Sequence, residues 1–372
     1  DNLNVWRDFF PAELEMQLDG CSAGDRISHG FSSGEVVAEF SKAGVHTVKQ
    51  PCFNRNFNPR IRLEPRLGRF YPRGVFQDIP GNYSLNYQPC RITAIEDDLI
   101  TTDFNHPLAT RKLDIDARII SIWHGGQQRG GRCNVIIDML TTNGPGMQAR
   151  HDDTATDFWS DDPFARDDPS PDDAFYSTPR LVTHLDQSCS QQIGELYKQL
   201  LPHDGRLLDL MSSWLSHLPD EFSSATISGL GMNPHELEQN PMLTETLVHD
   251  LNQNPLLPYD DGTFDGIACT ASIEYLVSPR QVFSELARIL KPGAPLVITF
   301  SNRWFPPKAI SIWGTSHEFE RMGLVLEYFI DNGAFENLHS YSLRGLPRPK
   351  DDKYAGQLAL SDPVYAVWGT KR

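Results

Sequence analysis

Acidic side chains follow predicted β-strands in the second half of the chain, at positions where they can bind a polar ligand. Asp209 lies in the predicted strand 206–210, and Asp250 lies beyond the predicted strand 226–230 and a further connection. The carboxyl ends of parallel strands meet at one edge of an open sheet, so we expect both residues to face one cleft. Carboxylates in such a cleft accept hydrogen bonds from amino and hydroxyl groups. The pattern therefore predicts a binding site for a polar small molecule.

The elements that position these carboxylates alternate between strand and helix. The predicted strands are 206–210, 226–230, 266–270 and 295–300, and the predicted helices are 180–200 and 279–290. Short apolar runs separated by helical patterns are typical of βαβ units. This half is therefore predicted to be an α/β domain with a parallel, doubly wound sheet.

The first half has a different pattern, with short runs of alternating or β-branched residues between Gly, Pro, Asn and Asp turns. The predicted strands are 14–18, 36–40, 44–48, 90–95, 99–103 and 113–122. Such runs favour strands over helices. We expect a separate β-rich domain here, because 372 residues are too many for one ordinary core.

The composition of the chain indicates in which cellular compartment it works and which partners it does not bind. No apolar run approaches the roughly 20 residues that cross a bilayer. The start at Asp1 shows neither a basic nor an apolar leader pattern, so we expect a soluble protein that does not bind membranes. The six cysteines form no CxxC pair, which predicts reduced thiols in the cytoplasm and no metal site.

The net charge of −16 is carried by the second part of the chain. Residues 1–150 hold 17 basic and 17 acidic side chains, whereas residues 151–372 hold 16 and 32. The sharpest change in composition runs from 152 to 173, with nine Asp and one Arg. We therefore predict three parts: a domain over 1–125, a Gly/Asp-rich connector over 126–173 and a domain over 174–372. Aromatic rings in and beside the connector predict that it packs on a domain.

Two segments of the second half resemble a known family. They read LPYDDGTFD, ending at Asp265, and ELARILKPGAPLVITF, starting at Glu285. Together they are similar to class I S-adenosylmethionine-dependent methyltransferases of the type 11 branch, over about residues 175–340. The resemblance implies a Rossmann-like fold, S-adenosylmethionine as cofactor and methyl transfer to an acceptor that is a small molecule or a protein.

The resemblance also implies roles for individual residues. Asp209 would lie near the methionine portion of the cofactor, and Asp250 would bind the adenine amino group beside the Leu251 amide. Gly231 stands where the family has an acid for the ribose, with Asn233 as the nearest polar substitute. The cofactor-binding residues implied in this way are Tyr176, Arg180, Asp209, Met211, Ser213, Gly231, Met232, Asn233, Asp250, Leu251, Thr270 and Ser272.

The acceptor side is less defined. The candidates follow two strands at the ligand edge, and they are Glu274, Tyr275, Asn302, Arg303 and Trp304. The alternative role for each of them is packing or helix capping. His217 and His249 lie near the same edge as possible bases. Serines replace the family's glycines after the first strand, and the ribose acid is missing. A degenerate domain that no longer binds cofactor is therefore the alternative to an enzyme.

The segment 88–122, and above all its turn at residues 103–109, resembles FKBP prolyl isomerases of the SlyD type, over about residues 12–123. The resemblance implies an FKBP-like domain used for docking or substrate recruitment. Isomerase activity would need an aromatic cradle built from Phe31, Phe40, Phe53 and Phe104. The alternative for the whole chain is an isomerase-like or chaperone-like binding protein that carries a degenerate methyltransferase domain.

Arginines also interleave with aromatic residues in the first half, a pattern that is found on single-stranded RNA-binding surfaces. They are Arg55, Arg60, Arg62, Arg66, Arg69 and Arg73, among Phe53, Phe57, Phe70 and Tyr71. The acidic net charge opposes nucleic-acid binding. We expect these arginines to face the Asp-rich segment of the same chain instead, so that the two parts of the molecule pack together.

Overall fold

The chain divides into two units, Asp1–Asp157 and Phe158–Arg372, with the boundary inside the Asp-rich segment. The computed structural model describes residue 4 and residues 7–59, 61–123 and 133–372. In these ranges no helix has the length and apolar character needed to cross a lipid bilayer.

Unit 1 is built on two antiparallel sheets. Its elements are α1 Ala12–Leu18, β1 Arg26–Phe31, β2 Val45–Lys49, β3 Phe70–Pro72, β4 Pro89–Glu96, β5 Leu99–Asp103, β6 Leu113–Arg118 and α2 Ile136–Thr141. Four strands form a sheet in the order β2-β5-β4-β3, and β1 pairs with β6. Val75, Ile92 and Ile100 are fully buried against the larger sheet, so this unit has a core of its own.

Two strands predicted in unit 1 are wrong. Residues 14–18 belong to helix α1, because Leu14 and Leu18 are four residues apart and pack on one side, with Glu13 and Glu15 in the first turn. Residues 36–40 form bends and irregular chain after the turn at Gly34, whose φ is +89°. Alternating apolar and polar residues do not form a β-strand unless a neighbouring strand is available for backbone hydrogen bonding.

The rings of the arginine-rich segment are used for packing. Phe53, Phe70 and Tyr71 are buried, so they do not offer a stacking surface. Arg55 and Arg62 both pair with Glu64, at 2.8 and 3.0 Å. Arg66 lies 4.0 Å from Asp157 of the Asp-rich segment, within unit 1. Arg60 lies outside the described residues.

The four rings proposed as an isomerase cradle are not brought together. Phe31 packs with Leu14 and Ile27 in one cluster. Phe53 lies in another cluster, with Phe104 at its edge, and Phe40 is exposed. An imide-binding groove needs several rings around one opening, and these residues do not form one.

Unit 2 is a three-layer α/β fold. Its elements are α3 Asp172–Tyr176, α4 Gln187–Leu200, β7 Arg206–Leu210, β8 Thr226–Gly231, α5 Pro234–Glu238, β9 Glu245–Val248, β10 Gly266–Thr270, α6 Pro279–Ile289, β11 Pro295–Phe300, α7 Ser311–Thr315, α8 Glu318–Asn332, β12 Phe335–Leu343 and β13 Val364–Lys371. The seven strands are ordered β12-β13-β11-β10-β7-β8-β9. Strands β7 to β11 are parallel, whereas β13 pairs antiparallel with both β11 and β12. The predicted parallel arrangement therefore holds for five strands of a mixed sheet.

This strand order places a crevice at the centre of the sheet. The chain runs outward from β7 through β8 to β9 and then returns to β10 on the other side of β7. Loops that leave β7 and β10 therefore diverge, and ligands bind at such a reversal in open α/β sheets. The predicted helix 180–200 is shorter than expected: α4 begins after Asp186, whose side chain accepts a hydrogen bond from the Cys189 amide.

Part of the Asp-rich segment packs inside unit 2. Phe158 is buried, and the Trp159 ring lies 5.9 Å from Phe164 and 6.0 Å from Tyr328. The guanidinium of Arg280 lies over the Trp159 ring at 3.9 Å. These aromatic contacts explain why an acidic, proline-containing stretch is ordered here rather than free.

Truncation of Phe283 tests the packing of helix α6. Its ring is fully buried against Tyr328, Phe329 and Phe335, so Phe283→Ala should destabilise the fold by about 3–5 kcal/mol. Urea unfolding followed by circular dichroism measures the loss. Gln281→Ala, on the exposed side of the same helix, should change stability by less than about 0.5 kcal/mol. Equal effects of the two substitutions would contradict this packing.

Candidate functional site

A cavity of about 490 Å³ opens at the carboxyl ends of the parallel strands of unit 2. It is lined by all twelve residues proposed for the cofactor: Tyr176, Arg180, Asp209, Met211, Ser213, Gly231, Met232, Asn233, Asp250, Leu251, Thr270 and Ser272. Tyr275, Asn302, Arg303, Trp304 and the two candidate histidines also line it. Side chains that are far apart in sequence therefore share one cavity, as the strand-end argument predicts.

Asp209 is the buried carboxylate at the end of β7. Its Oδ2 accepts hydrogen bonds from Ser212 Oγ at 2.5 Å and from Ser216 Oγ at 2.7 Å. Burial raises the pKa of Asp209 to about 6, although both hydroxyl hydrogen bonds oppose the shift. Asn240 donates to Ser216 Oγ and to the Ser213 carbonyl and so holds the serine loop in place.

Gly231 ends β8 and cannot carry a side chain. A Cβ there would lie 2.2 Å from the carbonyl oxygen of Ser212, because the serine loop passes directly over the strand end. This approach explains why the position holds glycine and not the acid that the resemblance leads one to expect.

Glu236 is the carboxylate that sequence reasoning missed. It lines the cavity from α5 and is buried, with Oε1 accepting from the Arg180 amide at 2.7 Å and Oε2 from Ser213 Oγ at 2.6 Å. Asn233 caps the same helix by accepting from the Glu236 amide, and Pro234 begins it. The sequence Asn-Pro-x-Glu is a helix-start pattern that could have drawn attention to Glu236.

Asp250 has one carboxylate oxygen for the protein and one for a ligand. Oδ1 accepts hydrogen bonds from the amides of Asn252 and Gln253, which fixes the turn after β9. Oδ2 is buried and has no hydrogen-bond partner among the described residues. A buried acceptor is costly unless a donor reaches it, so an adenine amino group fits this position.

Asp172 is a second residue that sequence reasoning missed. Arg166 donates to both of its oxygens, and the Nζ of fully buried Lys308 lies 3.3 Å away. Asn252 donates to Asp172 at 2.8 Å and to the Tyr275 carbonyl at 2.9 Å. This cluster ties the segment before α4 to the loops after β9 and β10.

The structure does not bring Glu274 to the cavity. Glu274 is buried in the helical turn after β10, while its neighbour Tyr275 lines the cavity and accepts a hydrogen bond from the Phe305 amide. Burial raises the pKa of Glu274 to about 8, so this carboxyl is mostly protonated at neutral pH. Glu274 is therefore a buried structural residue and does not lie beside the acceptor.

The two candidate bases differ in their surroundings. Burial lowers the pKa of His217 to about 4, and its Nδ1 has no hydrogen-bond partner among the described residues. The ring is therefore neutral near pH 7 and can accept a proton. The Nε2 of His249 lies 2.7 Å from the Asn254 carbonyl oxygen, which fixes that ring to its own turn. In the ranges that the structure describes, no three His, Cys, Asp or Glu side chains are grouped to hold a metal ion.

Comparisons with known proteins agree with this site. Residues 213–298 match the family model described as a methyltransferase domain. Norajmaline N-methyltransferase of Rauvolfia serpentina is 31% identical over 91 residues, which are 23% of this chain and 31% of the relative. Methyltransferase GfsG of Streptomyces halstedii is 26% identical over 137 residues, or 33% and 48% of the two chains. This chain spans less than half of each of these relatives.

Solved structures of methyltransferases are similar to the same unit. A SAM-dependent methyltransferase from Thermotoga maritima has 18% identity and a TM-score of 0.35, covering 50% of this chain and 88% of its own. Geranyl diphosphate C-methyltransferase from Streptomyces coelicolor has 13% identity and a TM-score of 0.33, covering 50% and 76%.

The domain match spans the loop after β7, strands β8 to β10 and most of β11, which are the elements that carry the cavity. Unit 2 thus contains a methyltransferase domain, and its cofactor is S-adenosylmethionine. The residues present fit that group, since Asp250 offers a buried acceptor that no other described residue engages and Asp209 offers a carboxylate at the sheet centre.

Replacement of Asp209 by Asn should alter the pH dependence of stability. The folded pKa of about 6 lies above the unfolded value near 3.8, so the folded protein binds more protons between these values and loses stability as pH rises through them. Without cofactor, Asp209→Asn should therefore gain up to about 3 kcal/mol relative to the native chain between pH 4 and pH 7.5. Urea unfolding at both pH values measures this. A difference that is independent of pH would refute the assignment.

Proposed function

We propose that this protein transfers a methyl group from S-adenosylmethionine to an acceptor bound in the cavity of unit 2. The observation that carries the proposal is the buried Oδ2 of Asp250, which has no hydrogen-bond partner in the described part of the chain and belongs to a residue of the cavity lined by all the proposed cofactor residues. A degenerate domain has little reason to keep such an acceptor, because an unsatisfied buried oxygen costs about 1–3 kcal/mol.

Each of the cavity residues at the strand ends would bind a different part of the cofactor. Asp250 would accept from the adenine amino group, and Asp209 would lie beside the methionine portion. Glu236 is the buried carboxylate of α5, the helix that follows Gly231 in the chain, and we assign it the ribose hydroxyls that the family's strand-end acid would bind. Thr270 and Ser272 line the cavity after β10, where the reacting end would lie.

The cofactor supplies an activated methyl group on a sulfonium, so the protein needs to align the acceptor and exclude water. An acceptor that loses a proton in the reaction needs a base within reach. His217 lines the cavity as a neutral imidazole, and its Nδ1 has no hydrogen-bond partner among the described residues, although the low pKa makes it a weak base. It is the side chain that we assign to proton acceptance when the acceptor atom is protonated.

For unit 1 we propose an FKBP-like fold that docks or recruits the substrate of unit 2. The antiparallel sheet and the turn after β5 support the fold, and the separation of Phe31 from Phe53 argues against isomerase catalysis. A folding helper with a degenerate methyltransferase domain is thus the weaker alternative. All six cysteines are unpaired, which supports a reducing compartment such as the cytoplasm.

Isothermal titration calorimetry of the intact chain with S-adenosylmethionine tests the proposal. Binding with one site per chain is expected, followed by methyl transfer to acceptors in a panel with a radiolabelled methyl group. Failure to bind either the cofactor or its demethylated product, S-adenosylhomocysteine, would favour the degenerate domain.

Asp250→Asn should weaken binding of S-adenosylhomocysteine by about 1–3 kcal/mol. The backbone amides of residues 252 and 253 hold an oxygen at the Oδ1 position, so the new amide NH₂ would face the adenine amino group with a donor. Asp260→Asn is the matched control, because Asp260 is exposed and does not line the cavity. Equal affinities of the two variants would exclude the adenine assignment.

Limited proteolysis tests whether the two units work together. We expect residues 158–173 to resist cleavage, since Phe158 and Trp159 pack within unit 2. If cleavage within residues 152–173 is rapid and the isolated second part retains solubility, cofactor binding and methyl transfer, the docking role of unit 1 is wrong.

A further inference from the structure

The cavity of unit 2 has two chemically different halves. All four of its acidic side chains come from α3, β7, α5 and the loop after β9: Asp172, Asp209, Glu236 and Asp250. The residues contributed after β11 and by the loop between β12 and β13 include no acid: Asn302, Arg303, Trp304, Phe305, Pro306, Lys353 and Tyr354. Because β11 and β8 lie on opposite sides of β7 and β10, Asp209, Glu236 and Asp250 are separated from these residues across the crevice. Asp172 lies on the β11 side, where Arg166 and Lys308 pair with it.

Arg303 and Lys353 share one aromatic neighbour in the acid-free half. The Arg303 guanidinium lies 4.9 Å from the centre of the Tyr354 ring, and Lys353 Nζ lies 5.2 Å from it. Arg303 Nε donates to Asp362 at 3.0 Å, whereas its Nη2 is buried without a hydrogen-bond partner among the described residues. Asp362 fixes the guanidinium and leaves a donor for another acceptor.

The loop that carries Lys353 is held by a buried ion cluster. Arg348 pairs with Asp362 at 2.5 Å, with Asp352 at 2.9 Å and with Asp186 at 3.3 Å. Since Asp186 also caps α4, the loop is fixed to the body of unit 2. Lys353 and Tyr354 are thus held at the cavity wall by the fold.

A third cation, Arg180, lies beside Phe305 of this wall. Arg180 lies 5.4 Å from the Phe305 ring and His184 lies 5.1 Å from it, and both line the cavity. Burial, and then the charges of Lys353 and Arg180, lower the pKa of His184. His184 and Arg180 therefore lie beside the same ring, at the border between the proposed cofactor residues and the acid-free half.

We propose that the methyl acceptor is an aromatic compound that carries an anionic group, a carboxylate or a phosphate. This inference rests on the proposed function, because it assigns the acidic half of the cavity to the cofactor. The rings of Trp304, Phe305 and Tyr354 pack against the acceptor ring, while Arg303 and Lys353 bind its anion. In an otherwise acidic protein, a cavity wall lined by two cations and no acid distinguishes such an acceptor from a neutral or cationic one.

Four small probes test this charge selection: benzoate, phenyl phosphate, benzyl alcohol and benzylamine. Each is titrated by saturation-transfer NMR into the full chain, with and without saturating S-adenosylhomocysteine. The anionic probes should bind at least about tenfold more tightly than the other two and should weaken as salt concentration rises. Comparison of benzoate with phenyl phosphate identifies the preferred anion.

The substitution Lys353→Met tests whether the anionic probes bind at the acid-free half of the cavity. It should weaken the anionic probes about three- to tenfold and leave benzyl alcohol unchanged, while Lys350→Met, an exposed control three residues away, should change neither. Equal binding of all four probes, preference for benzylamine, no binding of any probe, or no effect of Lys353→Met would overturn the proposal. Failure of S-adenosylhomocysteine to bind would instead refute the proposed function, since the probes report on the protein alone.

Discussion

The architecture of the cavity depends on a buried carboxylate without a counter-ion. Asp209 is held at the centre of the sheet by two serine hydroxyls, and burial of an unpaired charge is tolerated only where hydrogen bonds replace water. To deliver those hydroxyls, the loop after β7 passes over the end of β8, and this approach excludes any side chain at Gly231. The serines that replace the family's glycines thus have a structural role.

The same loop connects the rest of the cofactor half. Ser213 donates to Glu236, and Glu236 accepts from the Arg180 amide, so α5 and the segment before α4 are positioned by one carboxylate. Asn233 caps α5 and also donates to the Tyr176 carbonyl. A network in which each polar group is satisfied by the next is rigid, and truncation of one member leaves others unpaired. In our proposal, Glu236 of the following helix takes the role of the acid that the end of β8 cannot hold.

The parts of this fold that could be predicted are those governed by local pattern. The strands 206–210, 266–270 and 295–300 have the predicted bounds because buried parallel strands are continuous apolar runs. Helix α1 and the start of α4 were mispredicted, since both depend on caps and tertiary packing. Glu236 and Lys308 escaped prediction because their roles come from partners 23 to 140 residues away. Sequence identifies strand ends, whereas long-range hydrogen bonds decide which carboxylates face the cavity.

The loops on the two sides of the crevice are held by different kinds of interaction, and this difference affects which ligand each side can bind. On the β8 side, hydrogen bonds among serine, asparagine and glutamate hold short turns close to the strands. On the β11 side, a buried ion cluster around Arg348 holds a long loop, and Arg303 is part of it. Ion pairs of this kind fix cationic side chains at a site without neutralising every donor. A cofactor with hydroxyls and amines suits the first environment, and an anion suits the second.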